Sequence, residues 1–311
     1  MRFVSAADVD AALDFPALIE ALEQAFRGGL EAPPRHHHAL PVSGEPDATH
    51  LLMPAWGQGA LGVKIVNVFP GNGARGLPAV QGVYVLQSGR TGETLAVLDG
   101  SRLTLWRTAA ASALAAKRLA RADAARLTLV GAGALAPFLA RAHASVRPIR
   151  AVTVWNRRPE GARALAARLA EEGFAARASE DLQAAIEGAD VISAATLSTT
   201  PLIRGAWLKA GQHVDLVGAF SMSMREADDL ALQRARVFVD SPSALTEGGD
   251  VAQAIASGAL ASSAVVADLA ALARGAPGRG ADDEITLFKS VGASIEDLAA
   301  AQLVWRRLGS A

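Results

Sequence analysis

The first residues suited to chemistry are a glycine pair. LVGAGALA at 129–136 has the spacing G-x-G-x-x-A. Gly131 can take the tight turn, Gly133 leaves room for a pyrophosphate to approach the backbone, and Ala136 lets the next helix pack closely on the strand. Free N–H groups at the start of that helix would face the phosphates. The strand that follows ends in VWNRRPE, where an NAD site usually carries Asp or Glu for the ribose 2′-hydroxyl. Here Asn156 is followed by Arg157 and Arg158, with no acid before Glu160. Two guanidiniums suit a 2′-phosphate by charge and by bidentate geometry, so NADP(H) is favoured and NAD(H) stays open. The plainer reading is two solvated arginines opening a helix.

A second group of cations lies in the first third of the chain: Arg35, Lys64 in GVKIVN, and Arg107 in LWRTAA. If they converge, they make a pocket for a carboxylate. Lys64 sits in an apolar strand, where an unpaired ammonium is costly. It must either face solvent on the alternating pattern or meet an anion. On that view Lys64→Met, which keeps the apolar stem, would change stability little. Arg107 precedes an alanine-rich helix, and its guanidinium with that helix's N–H groups could hold an anion.

Other polar residues carry weaker signals. His36, His37 and His38 are consecutive, so a strand would point them to alternating faces, a poor arrangement for one metal. No metal site is expected. His50, His143 and His213 stand alone. Asp240, Glu247 and Asp250 could line a site or simply cap and solvate loops. Trp56 and Trp106 read as core or pocket wall.

The elements that must position these residues change character along the chain. Residues 8–27 space Val9, Leu13, Leu18, Leu22 and Phe26 as a helix, ended by the prolines at 33 and 34. THLLMPAW, LGVKIVNVFP and VQGVYVLQS read as strands, SGRTG as a hairpin turn, and residues 104–121 as a long helix. From about residue 122, strands RLTLVGAG, AVTVWNR, ADVISAAT, HVDLVGAF and ARVFVD alternate with helices, which implies a parallel, doubly wound sheet.

Composition sets the outer limits. The 311 residues suggest two domains at roughly 100–200 residues each, and 51% hydrophobic content allows a large core. A net charge of −1 argues against a dedicated nucleic-acid binder. The chain has no cysteine, which removes disulfides, thiolate catalysis and Cys-ligated metals. Acids at positions 8, 10 and 14 do not fit a signal peptide, and no apolar run reaches the roughly 18 residues of a membrane span. A cytoplasmic protein is expected.

Taken together, KIVNVFPGN…GLPAVQG, DGSRLTLWRTAAASA, VGAGALA, the NRR strand end, ADVISAAT, GAFSMSMREAD and LFKSVG resemble the ornithine cyclodeaminase/μ-crystallin family over nearly the whole chain. The resemblance implies a Rossmann doubly wound parallel sheet, residues 121–280, inserted in an α+β substrate-binding and dimerisation domain, residues 1–120 plus 281–311, and a homodimer. It implies substrate contacts from Arg35, Lys64 and Arg107. It implies cofactor contacts from Arg107, Thr108, the turn Gly131, Gly133, Ala134 and Leu135, the strand end Asn156, Arg157 and Arg158, then Thr196 and Val217, Gly218 and Ala219.

The family includes cyclodeaminases, imine reductases, alanine dehydrogenases and hormone-binding crystallins, so membership alone does not settle activity. Where the cyclodeaminases carry an aspartate for the substrate amine and a lysine four residues on, this chain has Phe220 and Met224. GAF…MREAD is similar to the subgroup that reduces Δ1-pyrroline-2-carboxylate and Δ1-piperideine-2-carboxylate, and Phe220 suits a hydrocarbon ring. The implied activity is NAD(P)H-dependent reduction of such a cyclic imino acid, with Lys64 holding the carboxylate or giving a proton to the nitrogen. The alternatives are an ornithine cyclodeaminase-type lyase, an amino-acid dehydrogenase and a non-enzymatic binder.

Overall fold

The computed structural model describes residues 1–309, which form two compact units. One is Met1–Arg107 together with the chain from Ala293 onward; the other is Thr108–Gly292.

The first unit holds strands β1 (Arg2–Val4), β2 (Leu30–Glu31), β3 (His36–Leu40), β4 (Ala48–Gly57), β5 (Ala60–Val68), β6 (Val80–Ser88) and β7 (Thr94–Asp99). They form one sheet in the order β1-β7-β6-β5-β4-β2, with β3 also paired to β4. Gln58 and Gly59 join β4 to β5, both at positive φ (49° and 79°), as two-residue hairpin loops of primed type demand. Pro54 fits inside β4 because β3 pairs only as far as Leu52 and β2 only from Trp56, so its missing N–H leaves no gap in a ladder.

The single helix expected over residues 8–27 is two, Ala6–Ala12 and Phe15–Arg27. Asp14 caps the second by accepting from the Ala17 N–H, and Pro16, lacking an N–H, cannot continue the first. Helices Phe15–Arg27 and Ser294–Gly309 pack together, and the latter lies on β4, β5 and β6. The sheet face carrying Met53, Lys64, Tyr84 and Leu86 is buried. On the opposite face Leu52, Ile65 and Val83 form one cross-strand row, and Pro54, Val63, Val85 and Val97 form the next. Trp56, expected in a core or pocket wall, lies on this second face and is 43% exposed. Trp106 is buried, packing at a tilt against Phe15 and donating its indole N–H to Asp10.

The second unit holds β8 (Arg126–Val130), β9 (Ala151–Trp155), β10 (Ala175–Ser179), β11 (Val191–Ala194), β12 (His213–Leu216), β13 (Arg236–Val239), β14 (Val265–Asp268) and β15 (Thr286–Lys289). All pair in parallel, in the order β10-β9-β8-β11-β12-β15-β13-β14. The fold is α/β, a Rossmann-type doubly wound sheet whose strand order reverses between β8 and β11.

The expected boundaries at 120/121 and 280/281 give way to 107/108 and 292/293. The reason is β15: TLFK is buried throughout and slots between β12 and β13. The glycine-rich stretch 273–280 is therefore an internal loop, tied down by Arg279, which donates to the carbonyls of Leu119, Gln212 and Glu284. Edge strand β10 had no sequence signal: AARAS has no branched apolar residue to mark it. Among the described residues no helix is long and apolar enough to cross a membrane.

Candidate functional site

In the second unit, the glycine turn leaves β8 as its spacing predicts. Gly131 has φ 108°, and a Cβ there would stand 2.9 Å from the Ala195 carbonyl oxygen, so only glycine fits. A Cβ on Gly133 would meet nothing within 4 Å: it faces the open space a pyrophosphate needs. The helix Ala136–Val146 behind the turn has Leu135 at its cap, and no side chain bonds its first N–H groups.

A cavity of about 470 Å³ opens beside the turn, lined by Ala132, Gly133, Asn156, Arg158, Glu160 and Gly161. Asn156 donates to the Arg158 carbonyl and shapes the strand end. Arg157 and Arg158 are exposed, and among the described residues neither forms an ion pair. The turn and the cavity together fit an adenine dinucleotide. Glu160, exposed, is the acid among the residues lining this cavity.

Thr196 and Val217–Ala219 follow β11 and β12, at the carboxyl edge of the same sheet, where such folds bind ligands. Gly218 is again forced: its Cβ would lie 2.0 Å from the Thr196 carbonyl oxygen. Thr108 is buried at the start of this unit, while Phe220 and Met224 are half-buried.

In the first unit, Lys64 meets an anion rather than solvent, and the anion is a residue the sequence reading missed. Its ammonium lies 2.8 and 2.7 Å from the two carboxylate oxygens of Asp297. Arg107 donates from Nε to Asp297 (3.0 Å) and from Nη1 to Glu296 (2.7 Å). All four side chains are buried. Two of the three cations thus meet, and two carboxylates match them, so the cluster is balanced in formal charge instead of a bare cationic pocket.

Glu296 and Asp297 open the helix Ser294–Gly309, where the helix dipole favours acids. Their signal was the pair ED at the head of an otherwise apolar, alanine-rich run. Burial, and then the neighbouring Arg107, push the Lys64 ammonium down to about 8, against the pull of Asp297. Arg35 is half-buried one residue before β3. Continuing the β3–β4 register sets it beside the row Met53–Lys64–Tyr84.

The remaining polar residues are placed as follows. His36 and His38 share a face of β3 with His50 of β4, their ring centroids 6.4 and 6.2 Å apart in sequence. Among the described residues no group of three or more His, Cys, Asp or Glu side chains could hold a metal. His143 is not isolated: its Nε2 lies 3.2 Å from Asp215, which also accepts from Ser112 and Ser193. Burial pushes His213 down to about 3, so it is neutral in the core. Asp240 is no lining residue; it accepts from Ser290 and the N–H groups of Val291 and Gly292, fixing the turn after β15. Glu247 is half-buried just before the helix Gly249–Ala256. Asp250 is buried against Lys289 and the Glu226 backbone.

A parallel sheet that reverses order beside a G-x-G-x-x-A turn, with an open cavity at the next strand end, defines a dinucleotide-binding protein of the Rossmann class. The chain belongs to the ornithine cyclodeaminase/mu-crystallin family, whose model matches residues 2–311. It is 41% identical over 318 residues to Delta(1)-pyrroline-2-carboxylate reductase of Paracoccus denitrificans, covering 98% of this chain and 96% of that one. The structure of Thermococcus litoralis Delta(1)-pyrroline-2-carboxylate reductase in complex with NADH and L-proline superposes with a TM-score of 0.94 at 31% identity, covering 100% of this chain and 98% of the other. An archaeal alanine dehydrogenase dimer with bound NAD superposes with a TM-score of 0.93 at 30% identity, covering 100% and 96%.

Proposed function

We propose that this protein is an NAD(P)H-dependent reductase of cyclic ketimine carboxylates, turning Δ1-pyrroline-2-carboxylate or Δ1-piperideine-2-carboxylate into proline or pipecolate. The observation that carries the reading is the buried Lys64, an ammonium brought to about 8 and held by Asp297 beside Arg107. A donor with that proton affinity suits protonation of an imine nitrogen near neutral pH. The activity and near-complete coverage of the Paracoccus and Thermococcus relatives support it.

Bound NAD(P)H would supply a hydride to the imine carbon, being oxidised to NAD(P)⁺ as C=N becomes CH–NH. The chain's own residues orient and protonate. Arg35 and Arg107 hold the substrate carboxylate, and Lys64 gives its proton to the imine nitrogen. Lys64 is only 1% exposed, so a substrate admitted to it would be shielded from bulk water, which would limit hydrolysis of the iminium. Such an enzyme would draw on the cytoplasmic NAD(P)H pool. The deciding assay is NAD(P)H oxidation with pyrroline- and piperideine-2-carboxylate, with pyruvate plus ammonia and ornithine plus NAD⁺ as competing substrates. Faster turnover with pyruvate and ammonia would make it an alanine dehydrogenase.

NADP(H) is the favoured cofactor: Arg158 lines the cavity, Arg157 precedes it in the chain, and both are exposed and without an ion pair among the described residues, free to meet a 2′-phosphate. Replacing both with Ala should raise KM for NADPH and leave that for NADH nearly unchanged, at about 1.5–3 kcal/mol per charge-assisted contact. Equal KM values for the two cofactors in wild type and variant would assign the ribose end to NAD(H).

A homodimer is the favoured assembly. The sheet face bearing Leu52, Pro54, Ile65, Val63 and Val83 is apolar and open, and Trp56 adds an exposed indole. The alanine dehydrogenase relative is described as a dimer. Ile65→Arg should convert a dimer to a monomer in sedimentation, while an unchanged mass would place the interface elsewhere.

A further inference from the structure

One buried carboxylate stands outside the reaction described above and yet binds two of the loops that the cofactor reading uses. Glu226 is fully buried. One of its oxygens accepts from the Thr196 N–H (2.6 Å) and the Thr196 hydroxyl (2.8 Å), and the other from the N–H groups of Gly218 (2.7 Å) and Ala219 (3.3 Å). Thr196 lies two residues past β11 and Gly218 two residues past β12. A single side chain therefore clamps the ends of two neighbouring strands.

Glu226 is itself held from both sides. Its N–H and that of Ala227 donate to Asp250, and its carbonyl accepts from the N–H groups of Leu202 and Ile203. The clamp is so close that a Cβ on Gly218 would stand 2.5 Å from a Glu226 oxygen. The cavity at the end of β9 takes the adenosine side, so the other half of a dinucleotide must cross the reversal point toward the ends of β11 and β12.

We infer that Glu226 is the positioning residue for the nicotinamide half of the cofactor, fixing Thr196 and Gly218–Ala219 at the spacing that half requires. The inference rests on the dinucleotide reading above and deepens it. Only the ionised carboxylate accepts all four donors; a protonated one turns one oxygen into a donor facing N–H groups.

The charged groups that act most strongly on Glu226 are Lys289 at the end of β15 and Asp250 on the helix Gly249–Ala256; the loop bearing Thr196, Leu202 and Ile203 ends in Arg204, which is exposed. On its own segment, Arg225 pairs with Asp229. Burial first, then Asp250, push the Glu226 carboxyl up to about 7, against Lys289 and the Thr196 hydrogen bonds. Cofactor binding should therefore weaken as pH falls below about 7, when the clamp takes up a proton.

The test is fluorescence titration of NADPH and NADH against the full chain from pH 5.5 to 8.5, with thermal unfolding of each variant in parallel. Glu226→Gln puts an amide donor against Gly218 and Ala219. It should raise the dissociation constant about tenfold or more at pH 8, remove its pH dependence, and raise KM for cofactor but not for imine. Asp250→Asn keeps the acceptor for the Glu226 N–H but removes the charge that raises Glu226, so the loss of affinity should move to lower pH.

Unchanged affinity in Glu226→Gln, or a loss matched by its unfolded fraction, would overturn the inference. If Glu226→Gln does not fold, the Asp250→Asn profile decides: an unmoved inflexion overturns it. If the wild-type protein binds neither nucleotide at any pH, the dinucleotide reading itself fails and takes this inference with it.

Discussion

Lys64→Met is expected to lower kcat/KM for the imine by about 10²-fold or more, roughly 2.7 kcal/mol of transition-state stabilisation. It should also cost about 3 kcal/mol of stability, because Asp297 is left buried with only Arg107 as counter-charge. The Asp297 pair replaces the expectation, drawn from the strand pattern alone, that stability would change little. Adding Asp297→Asn to Lys64→Met should recover much of the stability and none of the activity, which separates the two roles.

The pH profile carries the sign of the same arrangement. A proton donor must be protonated, so kcat/KM in wild type should be level below pH 8 and fall above it, as the ammonium near 8 empties. In Lys64→Met this alkaline limb should vanish. In Asp297→Asn alone it should move to lower pH, since the carboxylate that raises the Lys64 value is gone. Stability follows by linkage. Between about 8 and the ordinary 10.5 the unfolded chain still holds a proton that the native state has lost, so this group makes the fold gain stability as pH rises through that window. A flat profile with normal kcat/KM in Lys64→Met would remove Lys64 from the chemistry and leave it a structural partner of Asp297.

The second large effect is an expected absence. Incubated with ornithine and NAD⁺, the protein should release ammonia at less than about 10⁻³ of its rate of imine reduction. Ring closure of a diamino acid needs its second amine held near the reacting carbon. The side chains of Phe220 and Met224 offer that amine no carboxylate and no ionisable group. Leaving it uncompensated costs about 4 kcal/mol, close to a thousandfold in rate. Proline and ammonia formed at a rate comparable with imine reduction would assign the protein to the cyclodeaminase reaction instead.

Much of this molecule is local in its sequence and therefore legible there. The G-x-G-x-x-A turn needs only Gly131 at positive φ between a strand and a helix, and all its determinants lie within 129–136. The alternation of apolar strands and helices after residue 122 carries the parallel sheet in the same way, because hydrophobic period and turn residues are near-neighbour properties.

What escaped the sequence depended on partners far along the chain. Pro16 and Asp14 split a helix that apolar spacing alone made continuous, a competition of local signals that the capping geometry decided. The destination of β15 could not be read from LFKSVG, since strand order in a parallel sheet is set by crossover packing rather than by the strand's own residues. Lys64 showed only that it needed an anion or water; Asp297, 233 positions away, answers that need when the terminal helix packs on β5. Nothing in GAFSMSMREAD singles out Glu226; folding brings the ends of β11 and β12 onto its two oxygens. Composition and spacing determined which charges this protein must accommodate. Only the tertiary structure decided which of them meet, because the cost of burying a charge is met by whichever partner the packing delivers.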